Sequence, residues 1–206
     1  IPATLRGGPG QPDLLPPLPA PEFVRTATLN WLLDNRRIPF SDMNINNVSY
    51  ADEPIEMALQ GRVEQWDFVN TSPWDHTMHL HLVQFRLLGR QDFRSVSYLL
   101  LNRRPKKGTR WAPSAERFKT GRPLDPPLPV EDGWKDTVRC PPGQITRILV
   151  RFPTAAELGF DPDRLFSADE QGWPLQGYAW HCHIMDHEDH EMMLRYRLIA
   201  PAASSS

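Results

Sequence analysis

Long hydrophobic runs are missing from this sequence. Its longest apolar stretches, such as Tyr98–Leu101 and Ile148–Val150, are a few residues each, whereas a helix that crosses a bilayer needs about 20. An excess of one charge is missing too. The 23 Lys and Arg against 25 Asp and Glu leave a net charge of −2, which argues against a nucleic-acid partner and against a polybasic membrane patch. The first 23 residues lack the basic start and apolar stretch of a secretion signal. Cysteine is scarce, with only Cys140 and Cys182, and pairing the two is the ordinary reading for a secreted chain. Helical periodicity is sparse, and no internal repeat is visible.

What is present is strand-like text behind a proline-rich start. Residues 1–22 hold seven prolines and three glycines, a composition that sustains neither a helix nor a central strand. They read as an interdomain linker. The chain begins at Ile1 rather than at Met, so an upstream portion is expected; localisation is left open, leaning to secreted or cell-surface. Residues 23–200 read as one domain, and 201–206 as a disordered tail. Strands are predicted at Val63–Asn70, His79–Leu88, around Thr146 to Phe152, at Gly177–His183 and at Met193–Ile199. A short helix is predicted at Thr154–Leu158 with Thr154 as its cap. Two irregular stretches, Asn102–Asp132 and Thr154–Gln171, lie between them. Short strands joined by Pro- and Gly-rich loops point to an all-β sandwich or barrel.

All seven histidines fall in two windows, His76 to His81 and His181 to His190. A single histidine on a β face is usually a satisfied polar residue, and a single methionine is usually core packing. Two clusters that also contain Cys182 and Met192 are different, because imidazole, thiolate and thioether together favour copper. Zinc is the competing metal, but structural zinc sites rarely place a thiolate between two strand histidines. Side chains on a strand alternate faces. His79 and His81 therefore point one way, as do His181 and His183, while Cys182 points the other. Four imidazoles can thus face one metal cluster. Cys182 serves a second centre with His187 and Met192 from the following loop and His76 from the first window. Two His, one Cys and a weak axial Met are the blue-copper donor set. Cys182 must then remain a thiolate, which leaves Cys140 as a buried or free thiol, or as a partner for a cysteine elsewhere. His190 fits no ligand position.

The patterns His76-x-x-His79-x-His81 and His181-Cys182-His183-x-x-x-His187-x-x-x-x-Met192 resemble the last two copper motifs of multicopper oxidases. Met78–Phe85, Gly133–Thr137 and His187-Glu188-Asp189 strengthen the resemblance, most nearly to the spore-coat laccase, bilirubin oxidase and phenoxazinone synthase branch. The resemblance implies a C-terminal, cupredoxin-like Greek-key β-sandwich with long irregular loops and one or two short helices. It implies that His76, Cys182 and His187 hold type 1 copper with Met192 axial, that His79 binds type 2 copper, and that His81, His181 and His183 bind the type 3 pair. It implies one-electron oxidation of phenolic or aminophenolic small molecules, with electrons passing from Cys182 to the trinuclear cluster, where O2 is reduced to water.

The resemblance to spore-coat laccases implies a proton-relay role for Glu188, with a carboxylate at the surface or supporting a ligand as the equal alternative. Trp74 is a candidate for electron entry, and Asp75 and Asp136 for hydrogen-bond support of the histidines. The loops around Trp74 and Asn102–Asp132 are expected to shape the pocket. In this family the trinuclear cluster needs eight histidines and this chain offers four. The other two His-x-His motifs are expected from N-terminal cupredoxin domains of the same oxidase. The rival readings are a stand-alone blue-copper electron-transfer module, a copper nitrite reductase and a copper-storage domain. The module leaves four histidines without purpose, His183 argues against the reductase, and storage needs no Cys182 and Met192 so placed.

Overall fold

The computed structural model describes residues 18–32, 42–51, 56–163 and 177–202. Most of the proline-rich linker, the end of the predicted tail and the stretch 164–171 lie outside the described residues. Among the described residues, eleven strands form two facing sheets. The first sheet runs in the order β2 (Asp42–Ile45), β1 (Phe23–Leu32), β4 (Val63–Asn70), β9 (Gln144–Arg151), β6 (Phe85–Asp92), β7 (Trp134–Lys135). The second runs β3 (Glu56–Leu59), β11 (Met193–Ile199), β10 (Tyr178–Cys182), β5 (His76–Leu80), β8 (Thr137–Cys140). Pairing is antiparallel except β1 with β4 and β3 with β11. The all-β sandwich expected from the sequence is what the chain forms. Among the described residues no helix is long and apolar enough to cross a membrane.

The core between the sheets is aromatic. Trp66 and Phe68 of β4 meet Trp180 of β10, with the two tryptophan rings 5.1 Å apart and edge-on. Tyr196 of β11 closes on Phe152 at 5.5 Å. Edge-on contact sets the positive rim of one ring against the negative face of the other, and truncating such a side chain costs about 3–5 kcal/mol. Trp180 directly precedes His181, so this contact fixes the strand that carries the second histidine window.

One expectation needs correction. The predicted strand His79–Leu88 is two strands in different sheets: β5 ends at Leu80, the chain turns with Leu82 at φ 69°, and β6 starts at Phe85. The apolar alternation continues through the crossing because Met78, Leu80, Phe85 and Leu87 all face the same core. The stretch Asn102–Asp132 is irregular in backbone but is packed. Trp111, Ala115 and Phe118 lie against Tyr98 of the short helix α1 (Ser95–Leu101), with Phe93, Val69 and Ile145, as a second core on the outer face of the first sheet. This explains why β4 is buried on both faces rather than alternating. Gly89 lets the loop lie close against β6: a Cβ there would collide with the Asp125 carbonyl oxygen. The predicted helix appears as α2 (Ala155–Leu158), with Thr154 accepting from the Glu157 amide and Glu157 accepting in return.

Candidate metal centre

β5 and β10 are neighbours in the second sheet, with Cys182 opposite Met78 and His181 opposite His79. That register brings the two histidine windows side by side, and the two faces of the strands then divide the ligands. On the buried face, His76 Nδ1 lies 3.1 Å from His187 Nδ1, and Cys182 Sγ lies 3.7 and 3.5 Å from those two nitrogens. His187 arrives on the short helix α3 (Met185–Glu188) that follows β10. Glu191, at φ 81°, then turns the chain so that Met192 enters the core fully buried. The Met192 amide donates to the His187 carbonyl and its carbonyl accepts from the Cys182 amide, which closes the loop around Cys182.

The other face carries His79, His81, His181 and His183. Ligand atoms of the first three lie within 4.8 Å of one another, and the Nε2 atoms of His81 and His181 are 3.2 Å apart. The His183 ring centre sits 5.3 Å from that of His181 and 5.5 Å from that of His79. His183 lies just beyond the end of β10 and is exposed, so it joins the ring cluster without its nitrogens converging as closely. A hollow lined by His79, His81, Val83, Gln84 and Asp136 opens on this side.

The nitrogens that converge differ between the two centres. The buried centre gathers Nδ1, the nitrogen nearer the backbone, and the open one gathers the far Nε2. In the open centre His79 Nδ1 donates to the Asp136 carbonyl at 2.9 Å; a carbonyl only accepts, so Nδ1 carries the proton and Nε2 is left bare. His181 Nδ1 lies 3.2 Å from a Glu188 carboxylate oxygen, which leaves its Nε2 to face His81. In the buried centre His76 does the reverse, with Nε2 2.7 Å from Ser72 Oγ. Back-bonding of the distal nitrogen is how proteins orient imidazole ligands.

The electrostatics fit a soft cation. Burial pushes His76 down to about 3, helped by neighbouring His187 and opposed by Asp75. Burial also lowers His187 and His81, and lowers His181 against the pull of Glu188. These rings are therefore neutral with lone pairs available. Burial raises the Cys182 thiol, so the thiolate that the site needs must be drawn out by a bound cation. Two imidazoles and a thiol converge on one point, with Met192 buried in the loop that closes on them; imidazole, thiolate and thioether are a copper donor set.

Several secondary assignments change. Asp75 gives its carboxylate to Arg139 at 3.0 and 3.1 Å rather than to a histidine. Asp136 supports His79 through its backbone carbonyl, and its carboxylate accepts from Thr137. Trp74 is half-exposed and rests edge-on against Trp31, with ring centres 5.1 Å apart. His190 Nδ1 turns back to the Asp186 carbonyl at 2.6 Å. Cys140 is a free, fully buried thiol whose environment pushes it up to about 12, so it is protonated and inert. Ser72 and Asn70 went unnoticed in the sequence, because nothing in a serine four residues before a histidine signals that a turn will bring the two together.

The family model described as Multicopper oxidase matches residues 23–160. A laccase of Bacillus subtilis (strain 168) is 36% identical over 171 residues, covering 82% of this chain and 26% of that protein. A laccase of Bacillus stratosphericus is 33% identical over 182 residues, covering 87% of this chain and 29% of that protein. The crystal structure of a laccase from Pediococcus acidilactici superposes with a TM-score of 0.55 at 20% identity, over 90% of this chain and 29% of that one. The chain thus spans between a quarter and a third of the length of these relatives.

Proposed function

The chain belongs to the multicopper oxidase family, an oxidoreductase family with copper cofactors, and we propose that it is the laccase-like, cupredoxin-type part that accepts electrons from a reducing substrate. The observation that carries this is the division of ligands about Cys182: Nδ1 atoms and a thiolate converge on one face, Nε2 atoms on the other. In this reading His76, Cys182 and His187 would hold type 1 copper, with Met192 as a further, weak donor. His79 contributes to a type 2 site, and His81, His181 and His183 to a type 3 pair. Copper in these positions supplies one-electron oxidation of phenolic or aminophenolic compounds and reduction of dioxygen to water.

The chain's own residues do the rest. Buried His76 and half-buried His187 hold neutral rings at fixed angles, and the half-exposed Trp74 stands two residues before His76. Cys182 is joined to His181 and His183 by single peptide links, so the covalent path between the two centres is a few bonds of one strand. The open face of four imidazoles needs more donors. These come from two His-x-His motifs in N-terminal cupredoxin domains of the same oxidase, seated over the hollow beside His79 and His81.

Copper analysis of the isolated full-length protein tests the reading. The expected result is about four coppers per molecule with blue absorbance. About one copper with the same blue colour would leave a stand-alone electron-transfer module, and zinc in place of copper would overturn the reading altogether.

Glu188 is the proposed proton carrier. Its carboxylate holds the His181 Nδ1 proton at 3.2 Å and is still 30% exposed to solvent, a placement that lets it take protons from water and hold them beside the open centre. The neutral isostere in E188Q keeps the shape and loses the basicity. Turnover with saturating substrate is expected to fall about 100-fold, in line with loss of a positioned proton-transfer group, while the blue absorbance stays. Unchanged oxygen uptake by E188Q would reduce Glu188 to a surface carboxylate.

A further inference from the structure

We infer that Ser72 is the positioning residue that fixes which nitrogen of His76 faces the type 1 centre, and that it thereby sets the reduction potential of copper held there. The inference rests on the reading of His76 as a ligand given above.

The direction of each hydrogen bond follows from the chemistry of its partners. Asn70 sits at the end of β4, fully buried. Its Nδ2 lies 2.7 Å from the Trp74 carbonyl and 2.9 Å from the Cys140 carbonyl. Carbonyls only accept, so this end of the side chain is the donating amide. Its Oδ1 therefore faces Ser72, whose amide donates at 2.9 Å and whose hydroxyl donates at 2.8 Å. The Trp74 carbonyl, 3.2 Å from Ser72 Oγ, is a second acceptor for the same hydroxyl proton. By either route the single proton of Ser72 is committed away from His76, and a lone pair is left 2.7 Å from His76 Nε2. Nε2 must then carry its hydrogen, and Nδ1 stands bare toward Cys182 Sγ and His187 Nδ1. The chain from the Cys140 carbonyl through Asn70 and Ser72 is buried and runs in one direction. It selects the tautomer before any metal arrives.

This arrangement is particular to one of the two histidines. His76 is fully buried and fastened at its far nitrogen, whereas His187 is half-buried on a four-residue helix. An acceptor on the remote N–H makes the ligating nitrogen more basic. A more basic donor stabilises the more highly charged oxidised copper over the reduced form, which lowers the potential. Removing the acceptor reverses that effect and also leaves a buried N–H unpaired.

The test uses the full-length copper-loaded protein with S72A and S72T, and reads the type 1 potential by redox titration of the blue absorbance. S72A is expected to raise the potential. Loss of an outer hydrogen-bond partner typically weakens metal binding 10–100-fold, and each factor of ten that falls on the oxidised form alone reads as about 59 mV. S72T retains the hydroxyl and is expected to keep the wild-type potential. An S72A protein that holds its copper at an unchanged potential overturns the inference, as does S72T with a displaced potential. Should S72A fail to load copper, a wild-type potential in S72T still supports the role of the hydroxyl. Failure of the underlying reading is distinct, since the wild-type protein would then show no blue copper to titrate.

Discussion

Replacing Cys182 with serine is expected to abolish the blue absorbance and to lower oxidation of any reducing substrate to below about a hundredth, while most of the copper stays. Serine preserves size and β10 pairing, so the backbone link between the two centres survives. It offers a hydroxyl that does not ionise near neutrality where the site calls for a soft thiolate. In the proposed site, His76, His187 and Met192 would remain as two neutral imidazoles and a thioether with no anionic donor. Changes to groups that merely support a ligand already cost 10–100-fold, and removing the proposed anionic ligand is expected to cost more. The open centre faces the other way and draws none of its ligands from the buried face, so elemental analysis of C182S should give about three coppers per molecule against about four. Cys140 offers no substitute. Its thiol is buried on β8, held protonated and directed toward the Val138 carbonyl. Blue colour persisting in C182S, or copper lost from both centres together, would contradict the division of ligands.

That division was legible in the sequence because it follows from covalent geometry. Alternation along a strand separates Cys182 from His181 and His183 whatever the rest of the fold does. The return of His187 and Met192 was also legible, as four and nine residues beyond His183 are a short loop. What could not be read depends on where the chain turns in space. The crossing from β5 to β6 is hidden because both strands feed one core, so the apolar alternation never lapses. Helix α1 is seven residues with only Tyr98 buried, too few for a helical period to stand out. Asp75 looked like a partner for a histidine by proximity in sequence, yet a strand neighbour points to the opposite face, where Arg139 is waiting. Ser72 acts on His76 only because the turn after β4 folds back under β5, and the sequence carries no mark of that turn's geometry.

The largest stability effect is expected at Glu64, far in function from the proposed copper ligands but linked to them by packing. Its carboxylate is fully buried on β4 and takes hydrogen bonds from Arg25 at 3.1 Å, from Arg62 and from the Trp66 indole at 3.0 Å. Arg25 spans to Glu56 of β3 in the opposite sheet, and Arg110 pairs with Glu56 in turn. Five charges thus join the two sheets, and Glu64 is the acceptor shared by two arginines and an indole. In E64A the Arg62 guanidinium and the Trp66 N–H lose their acceptor, and Arg25 keeps Glu56 and the Met57 carbonyl. Removing one member of a buried pair costs about 3–5 kcal/mol, because the remaining charge stays desolvated. That is a large part of the 5–15 kcal/mol typical of a domain. The midpoint of denaturant unfolding should fall with an unchanged slope, and E64Q, which keeps an acceptor for the indole, should lose less. Trp66 rests on Trp180, the residue before His181. The blue absorbance of E64A should therefore shrink in step with the folded fraction and keep its wavelength. A shifted band would mean that the charge cluster shapes the copper site directly, and a loss below about 1 kcal/mol would mean that water had replaced the carboxylate at little cost.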